Sequence, residues 1–311
     1  MSTQQALTSP ARHWLFAARR HAASHPWTTS GLTLAFVVIL ILLAASVSTL
    51  VDRSDTTIHY GLWGGLAGFL ATAIGALPAL ALKQLAQRLE DTLLGFAAGM
   101  MLAASAFSLL LPGLEAGNAL FQSATAGAAV VVGGMMLGVL LMLGLDEFTP
   151  HEHDKSGPCG PGHASCGRVW LFVFAIALHN LPEGMAIGVS FAQGDISVGL
   201  PLTSAIALQD IPEGLAVALA LRSAGLAPWQ AVIIAALSGL LEPLGALLGL
   251  GLSTGLAVSY PIGLGLAAGA MLFVVSHEVI PETHRNGHQT PATLGLMGGF
   301  ALMMVLDTSL G

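Results

Sequence analysis

Charged side chains are scarce in this chain of 311 residues, because only 9% are Asp, Glu, Lys or Arg, whereas about 25% is typical of soluble domains. Lysine occurs only at positions 83 and 155, and no basic patch for nucleic acid is present. The two cysteines, Cys159 and Cys166, share one polar loop and predict no disulfide framework. These absences exclude a nucleic-acid partner and an ordinary soluble fold. The chain instead contains 54% hydrophobic residues and 38 glycines, a composition suited to a lipid environment.

Long apolar runs dominate the rest of the sequence. Runs of about 20 residues are long enough to cross a bilayer as helices, and we find nine of them. The sequence therefore predicts an all-α, polytopic membrane bundle, with spans at 31–51, 59–82, 92–114, 122–145, 169–191, 197–221, 228–252, 257–279 and 291–310. The first run is about twice as long as a signal core and lacks a clear cleavage site, so we interpret it as a retained helix.

The basic residues predict the orientation of the chain. With a cytoplasmic N-terminal tail at 1–30, nine of the ten Lys and Arg residues fall on the cytoplasmic side, and only Arg53 does not. The polar loop at 146–168 is then cytoplasmic, and the C-terminus is not. Compact loops and the lack of an organelle signal favour a bacterial inner membrane.

Glycines four residues apart recur inside the spans. Such spacing lets helix backbones approach closely, so we assign these glycines to packing. The pairs are Gly95 and Gly99, Gly134 and Gly138, Gly245 and Gly249, and Gly265 and Gly269.

Strongly polar side chains stand near the centres of spans five, six and seven. They are His179, Asn180, Glu183, Gln209, Asp210, Glu213 and Glu242. A charged side chain at that depth costs at least ~2.5 kcal/mol, and these spans contain no Lys or Arg to pair with the four acids. The partners that remain are protons, water or metal cations. The alternative is a buried polar network that only specifies how the helices pack. Such networks usually use Ser, Thr or Asn rather than unpaired acids.

Two of these segments are near copies, His-Asn-Leu-Pro-Glu-Gly at 179–184 and Gln-Asp-Ile-Pro-Glu-Gly at 209–214. In each, the first polar residue and the glutamate are four apart and share a helix face, while the second polar residue lies about 100° around the helix. Pro182 and Pro212 each remove a backbone donor, which frees a carbonyl group for a cavity or an ion. Pro243, after Glu242, repeats this feature.

The paired motifs, followed by a Glu-Pro helix, resemble the ZIP (Zrt/Irt-like protein) family of metal transporters. The resemblance implies an eight-helix transport domain at 59–310, preceded by an extra helix at 31–51, and also a homodimer. Together with the cytoplasmic placement of the histidine-rich loops, it implies uptake into the cytoplasm. We expect transport by alternating access, and a stationary channel-like pathway is the alternative. The resemblance further implies a binuclear site in which the motif glutamates bridge two metals. One metal would bind His179, Glu183, Gln209 and Glu213, and the other Asn180, Glu183, Asp210, Glu213 and Glu242. Met101 is a further candidate ligand, although a methionine there also suits plain packing.

One departure concerns selectivity. Many relatives have histidine where this chain has Gln209, and a site with one imidazole and mostly oxygen ligands suits Zn²⁺, Cd²⁺, Fe²⁺ or Mn²⁺. Ligand type alone does not choose among them.

Two weaker clusters lie outside the spans. The loop after span four could bind metal, or carry its polar residues by chance; they are Asp146, Glu147, His151, Glu152, His153, Asp154, Cys159, His163 and Cys166. His277 and Glu278, with His284 and His288 beyond them, form either a cytoplasmic exit relay together with His151 and His153 or a solvated helix end. We expect Asp91 and Asp307 to cap or join helices, with no transport role.

Other functional classes fit less well. A membrane metalloprotease would need H-E-x-x-H, which is missing because Pro281 follows the His277-Glu278 pair, and an ATP-driven pump would need a phosphate-binding loop, which is also missing. No cofactor and no enzymatic activity are expected. A proton-coupled carrier of a small organic solute and a membrane scaffold remain as alternatives.

Overall fold

The computed structural model describes residues 21–52, 55–148, 151–153, 157–159, 168–223 and 225–310, without the side chains of 46–52, 55, 151–153, 157–159 and 168–178. Residues 1–20 of the predicted tail therefore lie outside the described part. So do His163 and Cys166 of the predicted loop, and the side chains of His151 and His153.

The described part of the chain is almost entirely helical. Its α-helices are α1 (Pro26–Asp52), α2 (Asp55–Ala76), α3 (Gln87–Ala104), α4 (Leu111–Phe121), α5 (Ala124–Phe148), α6 (Arg168–Ser190), α7 (Ile196–Ser223), α8 (Pro228–Ser238), α9 (Leu241–Leu252), α10 (Ser259–Val274), α11 (Ile280–Thr283) and α12 (Gln289–Leu310). A 3₁₀ turn at Leu77–Leu80 follows α2, and π-helical segments at Ser105–Leu110 and Val275–Val279 continue α3 and α10. Two short strands, β1 (His151–His153) and β2 (Gly157–Cys159), pair antiparallel inside the predicted loop.

Eight segments of the described residues are long and apolar enough to cross a membrane, which confirms the all-α polytopic bundle. They are Pro26–Ala45, Thr56–Leu80, Gln87–Phe121, Ala124–Phe148, Ile196–Ser223, Pro228–Leu252, Ser259–Thr283 and Gln289–Leu310. The fifth predicted span coincides with α6, which is 23 residues long. About half of its side chains lie outside the described part.

The bundle is built from helix pairs that meet at glycine, as predicted. α3 packs against α12, α5 against α10, and α6 against α9. A Cβ on Gly99 would overlap the carbonyl oxygen of Leu296, one on Gly269 that of Met135, and one on Gly249 that of Met185. The same holds for the other predicted glycines, each of which faces the backbone of a neighbouring helix. The packing role assigned to them is confirmed.

The first helix is peripheral. Only 11% of the apolar stretch of α1 is buried inside the protein. The helix contacts mainly α5, where the side chain of Leu32 packs against Gly144. Ala35 and Leu42 of α1 join a small apolar cluster with Leu141 of α5.

The seventh predicted span is interrupted. α8 ends at Ser238 and α9 begins at Leu241, so two turn residues separate the half-helices. Glu242 consequently lies in the first turn of α9, where the helix dipole favours negative charge. Pro243 falls in the same turn, where its missing N–H breaks no helical hydrogen bond.

Candidate metal centre

Three carboxylates of the paired motifs converge between α6 and α7. Glu183, Asp210 and Glu213 each offer one oxygen atom, and these oxygens lie within 4.8 Å of one another. Glu183 is fully buried and accepts a 2.5 Å hydrogen bond from Nε2 of Gln209, which is also fully buried. α6 and α7 both continue through their prolines, Pro182 and Pro212, so the motif residues keep the helical spacing that the sequence predicts.

Glu242 joins this group from α9. Its side chain is fully buried, and Oε1 accepts a 3.0 Å hydrogen bond from the hydroxyl group of Thr72 on α2. Gly68, one turn before Thr72, leaves the space in which the carboxylate lies. A Cβ there would clash with Oε2 of Glu242 and would come within 3.1 Å of Oδ2 of Asp210. The two carboxylates therefore face the same small volume beside α2.

The glycine that ends each motif fixes the position of a neighbouring helix. A Cβ on Gly184 would come within 2.6 Å of the Cα of Glu242, and one on Gly214 within 3.1 Å of the Cα of Thr72. Both glycines also face backbone carbonyl oxygens of those same residues. The motifs thus carry both polar side chains and the contact surfaces that bring α9 and α2 to the site.

His179 and Asn180 each contact a residue outside the three-carboxylate group. Nε2 of His179 lies 3.5 Å from Oε2 of Glu278, in the π-helical segment after α10. Asn180 is buried, and its Nδ2 donates a 3.4 Å hydrogen bond to Oγ of Ser238 at the end of α8. His179 is not a member of the group formed by Glu183, Asp210 and Glu213, and its contact with Glu278 belongs to a neighbouring helix segment.

Several buried oxygen atoms of the cluster have no hydrogen-bond partner among the described residues. They are Oε2 of Glu183, Oε1 of Gln209, Oδ2 of Asp210 and Oε2 of Glu242. Leaving a buried acceptor unsatisfied costs roughly 1–3 kcal/mol, and more for a charged group. A divalent cation among these atoms would satisfy them together, and their oxygen chemistry suits Zn²⁺ and related ions.

The other predicted residues are distributed as follows. His277 lies 3.7 Å from Asp146, measured between Nε2 and Oδ2, and Oε1 of Glu278 is buried without a hydrogen-bond partner among the described residues. Met101 is buried within the main apolar core cluster. Asp307 accepts a 2.7 Å hydrogen bond from Ser108, and Asp91 accepts hydrogen bonds from residues of the α11–α12 connection, as expected for residues that join helices.

Sequence reasoning did not identify Gly68, Thr72 or Ser238 as neighbours of the cluster. Gly68 and Thr72 are four apart on one face of α2, and the glycines at 61, 64, 65 and 68 mark a face of close approach. This glycine pattern in the sequence could have predicted that α2 packs closely against another helix. The pairing of His179 with Glu278 carries no such signal, because it joins helices that are far apart in sequence.

A polytopic helical bundle with acidic groups buried at depth is typical of a membrane transporter for cations. Residues 150–307 match the family described as ZIP Zinc transporter. The chain is 64% identical to the zinc transporter ZIPB of Bordetella bronchiseptica, over 93% of this chain and 94% of that protein. It is 43% identical to the zinc transporter GufA of Myxococcus xanthus, over 81% of this chain and 99% of that protein, and 28% identical to human zinc transporter ZIP11, over 83% and 99%.

The chain belongs to the ZIP zinc transporter family. This confirms the resemblance drawn from the paired motifs. Because the family and these relatives are transporters, the chain is a membrane transporter and not an enzyme, as expected.

Proposed function

We propose that this chain carries Zn²⁺, and related divalent ions such as Cd²⁺, Fe²⁺ or Mn²⁺, into the cytoplasm of a bacterial cell. The names of its relatives support zinc as the substrate. The proposal rests on buried oxygens of Glu183, Gln209, Asp210 and Glu242 that have no hydrogen-bond partner within the described part of the chain. A divalent cation compensates both the hydrogen-bonding need and the charge of such a concentration of acceptors, whereas water alone leaves the charge unpaired.

The proposed centre is binuclear, with Glu183 and Glu213 as bridging ligands. His179 and Gln209 complete one metal position, and Asn180, Asp210 and Glu242 complete the other. Two contacts support this division. Gln209 adjoins Glu183, whereas Asp210 and Glu242 share the volume beside Gly68. Met101 as an added ligand stays a prediction.

The proposed release route leads from His179 to Glu278 and then to His277 and Asp146. The 3.5 Å contact between His179 and Glu278 and the 3.7 Å contact between His277 and Asp146 support this order. His151 and His153 would receive the ion in the loop beyond. Release toward the cytoplasm requires the predicted orientation, with a cytoplasmic N-terminus, and the transport domain at 59–310 would work by alternating access, as one subunit of a homodimer in the inner membrane.

Uptake of Zn²⁺ and Cd²⁺ into proteoliposomes tests the proposal, with a Glu183→Ala, Glu213→Ala double variant beside the parent protein. Circular dichroism and gel filtration verify that both proteins are folded. We expect uptake by the parent and none by the variant. Equal uptake by both would refute the role of these carboxylates. Proton movement without any metal flux would instead favour the organic-solute carrier.

A further inference from the structure

A second group of metal-ligating side chains lies outside the candidate metal centre, at the junction of the N-terminal segment with the end of α5. His21 and His25 precede α1, and Glu147 is the penultimate residue of α5. Nε2 of His21 lies 2.7 Å from Oε1 of Glu147, and Nε2 of His25 lies 3.6 Å from the same oxygen. Two imidazoles and one carboxylate thus converge on one point.

The ligand atoms lie near the separations that a tetrahedral ion requires, but one contact is shorter. Zn²⁺ binds histidine nitrogen and carboxylate oxygen at about 2.0–2.2 Å, which places neighbouring tetrahedral ligands roughly 3.3–3.6 Å apart. The 3.6 Å distance from His25 to Glu147 agrees with that spacing, whereas the 2.7 Å distance from His21 is that of a hydrogen bond and must lengthen when an ion binds. All three side chains have ligand atoms within 4.8 Å of one another, so small side-chain movements suffice to enclose an ion.

Hydrogen bonds and ring contacts restrict the orientation of both imidazoles. Nδ1 of His25 lies 3.2 Å from the carbonyl oxygen of His21, and metal-binding histidines commonly donate their second ring N–H to such a group. Oγ of Ser24 lies 3.0 Å from the same Nδ1. In the tautomer in which Nδ1 carries the proton, Nε2 of His25 has a free lone pair for an ion. The His21 ring stacks on His25 at 4.3 Å and meets the edge of Phe148 at 5.3 Å, which restricts its rotation.

The group is also reachable from solution. The side chains of His21, His25 and Glu147 are 20%, 43% and 28% exposed, unlike the buried acids of the candidate centre. A water molecule can therefore occupy the fourth position of a tetrahedral ion. The site needs no passage through the membrane bundle and is separate from the transport centre.

We propose that His21, His25 and Glu147 form an accessory site for a divalent transition-metal ion of the Zn²⁺ type. Occupation of the site joins the segment before α1 to the end of α5, immediately before the hairpin that contains His151 and His153. Because α1 buries little of its surface in the bundle, this ion strengthens a junction that the contacts of His21 with Glu147 and Phe148 already make. The proposal is independent of the function proposed above.

Metal binding to the full-length protein tests the site. The Glu183→Ala, Glu213→Ala background removes the candidate transport centre, so any Zn²⁺ that still binds tightly must occupy another site. We expect one equivalent per chain in this background by titration calorimetry, and its loss when His21→Ala and His25→Ala are added. His59→Ala changes an exposed histidine on α2 and serves as the matched control, which should retain the ion. Equal binding by all three proteins, or no binding by any, would overturn the proposal.

Hydrogen exchange separates metal binding from a simple histidine–glutamate ion pair. In the same background, Zn²⁺ should slow amide exchange across residues 21–30, and Glu147→Gln should weaken this effect by about tenfold or more in Zn²⁺ concentration, since it removes the anionic ligand but keeps a hydrogen-bond acceptor. Protection that does not respond to Zn²⁺ would mean that the three side chains only pair with one another.

Discussion

Gly184 lies against the backbone of Glu242, so closely that a Cβ on the glycine would come within 2.6 Å of the glutamate Cα. Gly184 directly follows the buried acid Glu183, and the contact therefore fixes the distance between the main chains of two proposed ligands. A Cβ at Gly184 would therefore disturb both the packing of α6 on α9 and the geometry of the site.

Gly184→Ala should consequently damage both stability and transport. The new methyl group must push α9 away from α6, which we expect to lower the free energy of unfolding by about 1–3 kcal/mol and to reduce Zn²⁺ uptake more than tenfold. Thermal unfolding and proteoliposome uptake measure the two effects. Gly133→Ala on α5 is the control, because a Cβ there has no neighbour within 4 Å. Equal behaviour of the two variants would mean that the contact is unimportant.

Removing the bridging acids should harm transport more than removing the single imidazole. In the proposed centre, Glu183→Ala with Glu213→Ala takes ligands from both metals, whereas His179→Ala takes a ligand from one. We expect no measurable Zn²⁺ uptake by the double variant and partial uptake by His179→Ala. Similar residual uptake by both would contradict the bridging arrangement.

Uptake should fall as the solution is acidified. Metal binding requires deprotonated imidazole and carboxylate ligands and therefore releases protons, so a lower pH favours the protonated, metal-free site. We expect Zn²⁺ uptake to decline below about pH 5 to 6. Initial rates measured at fixed free Zn²⁺ and fixed voltage test this, and a flat profile across that range would argue against these ligands.

The proposed release route predicts a variant that binds metal but transports it slowly. His277 is partly exposed and contacts Asp146, away from the three-carboxylate group. We expect His277→Ala to keep the parent's Zn²⁺ stoichiometry and to lower the maximal uptake rate severalfold. His59→Ala again provides a surface-histidine control. Loss of binding in His277→Ala, or an unchanged rate, would remove His277 from the route.

Thr72 should support metal binding through Glu242. Thr72→Val keeps the shape of the side chain but removes the hydroxyl that donates to Oε1 of Glu242, so the carboxylate loses an orienting contact. A hydrogen bond to a charged group contributes about 1.5–3 kcal/mol, and we expect Zn²⁺ affinity to fall roughly tenfold or more. Thr33→Val on α1 is the matched control, because that residue is exposed and its hydroxyl donates to the carbonyl oxygen of Thr29 in its own helix. Equal affinities would exclude the role of Thr72.

The sequence predicted the membrane bundle and its glycine contacts because both depend on local patterns, namely apolar length and spacing along one helix. It placed the seventh span at 228–252, as found, but not the interruption that puts Glu242 at a helix start, since hydropathy does not respond to a short break. The motif spacing predicted which residues share a helix face, but the convergence of Glu183, Asp210 and Glu213 was expected only from the resemblance to the ZIP family. The contacts of Glu242 with Thr72 and of His179 with Glu278 join distant segments, and no periodicity encodes them.

The glycine contacts also determine how this protein can vary. A side chain pressed against a neighbour can be replaced by a smaller one at the expense of a cavity, but glycine has no smaller replacement, and backbone atoms opposite it cannot change rotamer. Saturation mutagenesis should therefore show different tolerance to substitution on two kinds of helix surface. The faces where α6 meets α9, and α3 meets α12, should accept almost no substitution at their glycines, whereas the largely uncovered surface of α1 should accept most apolar residues in exchange for one another.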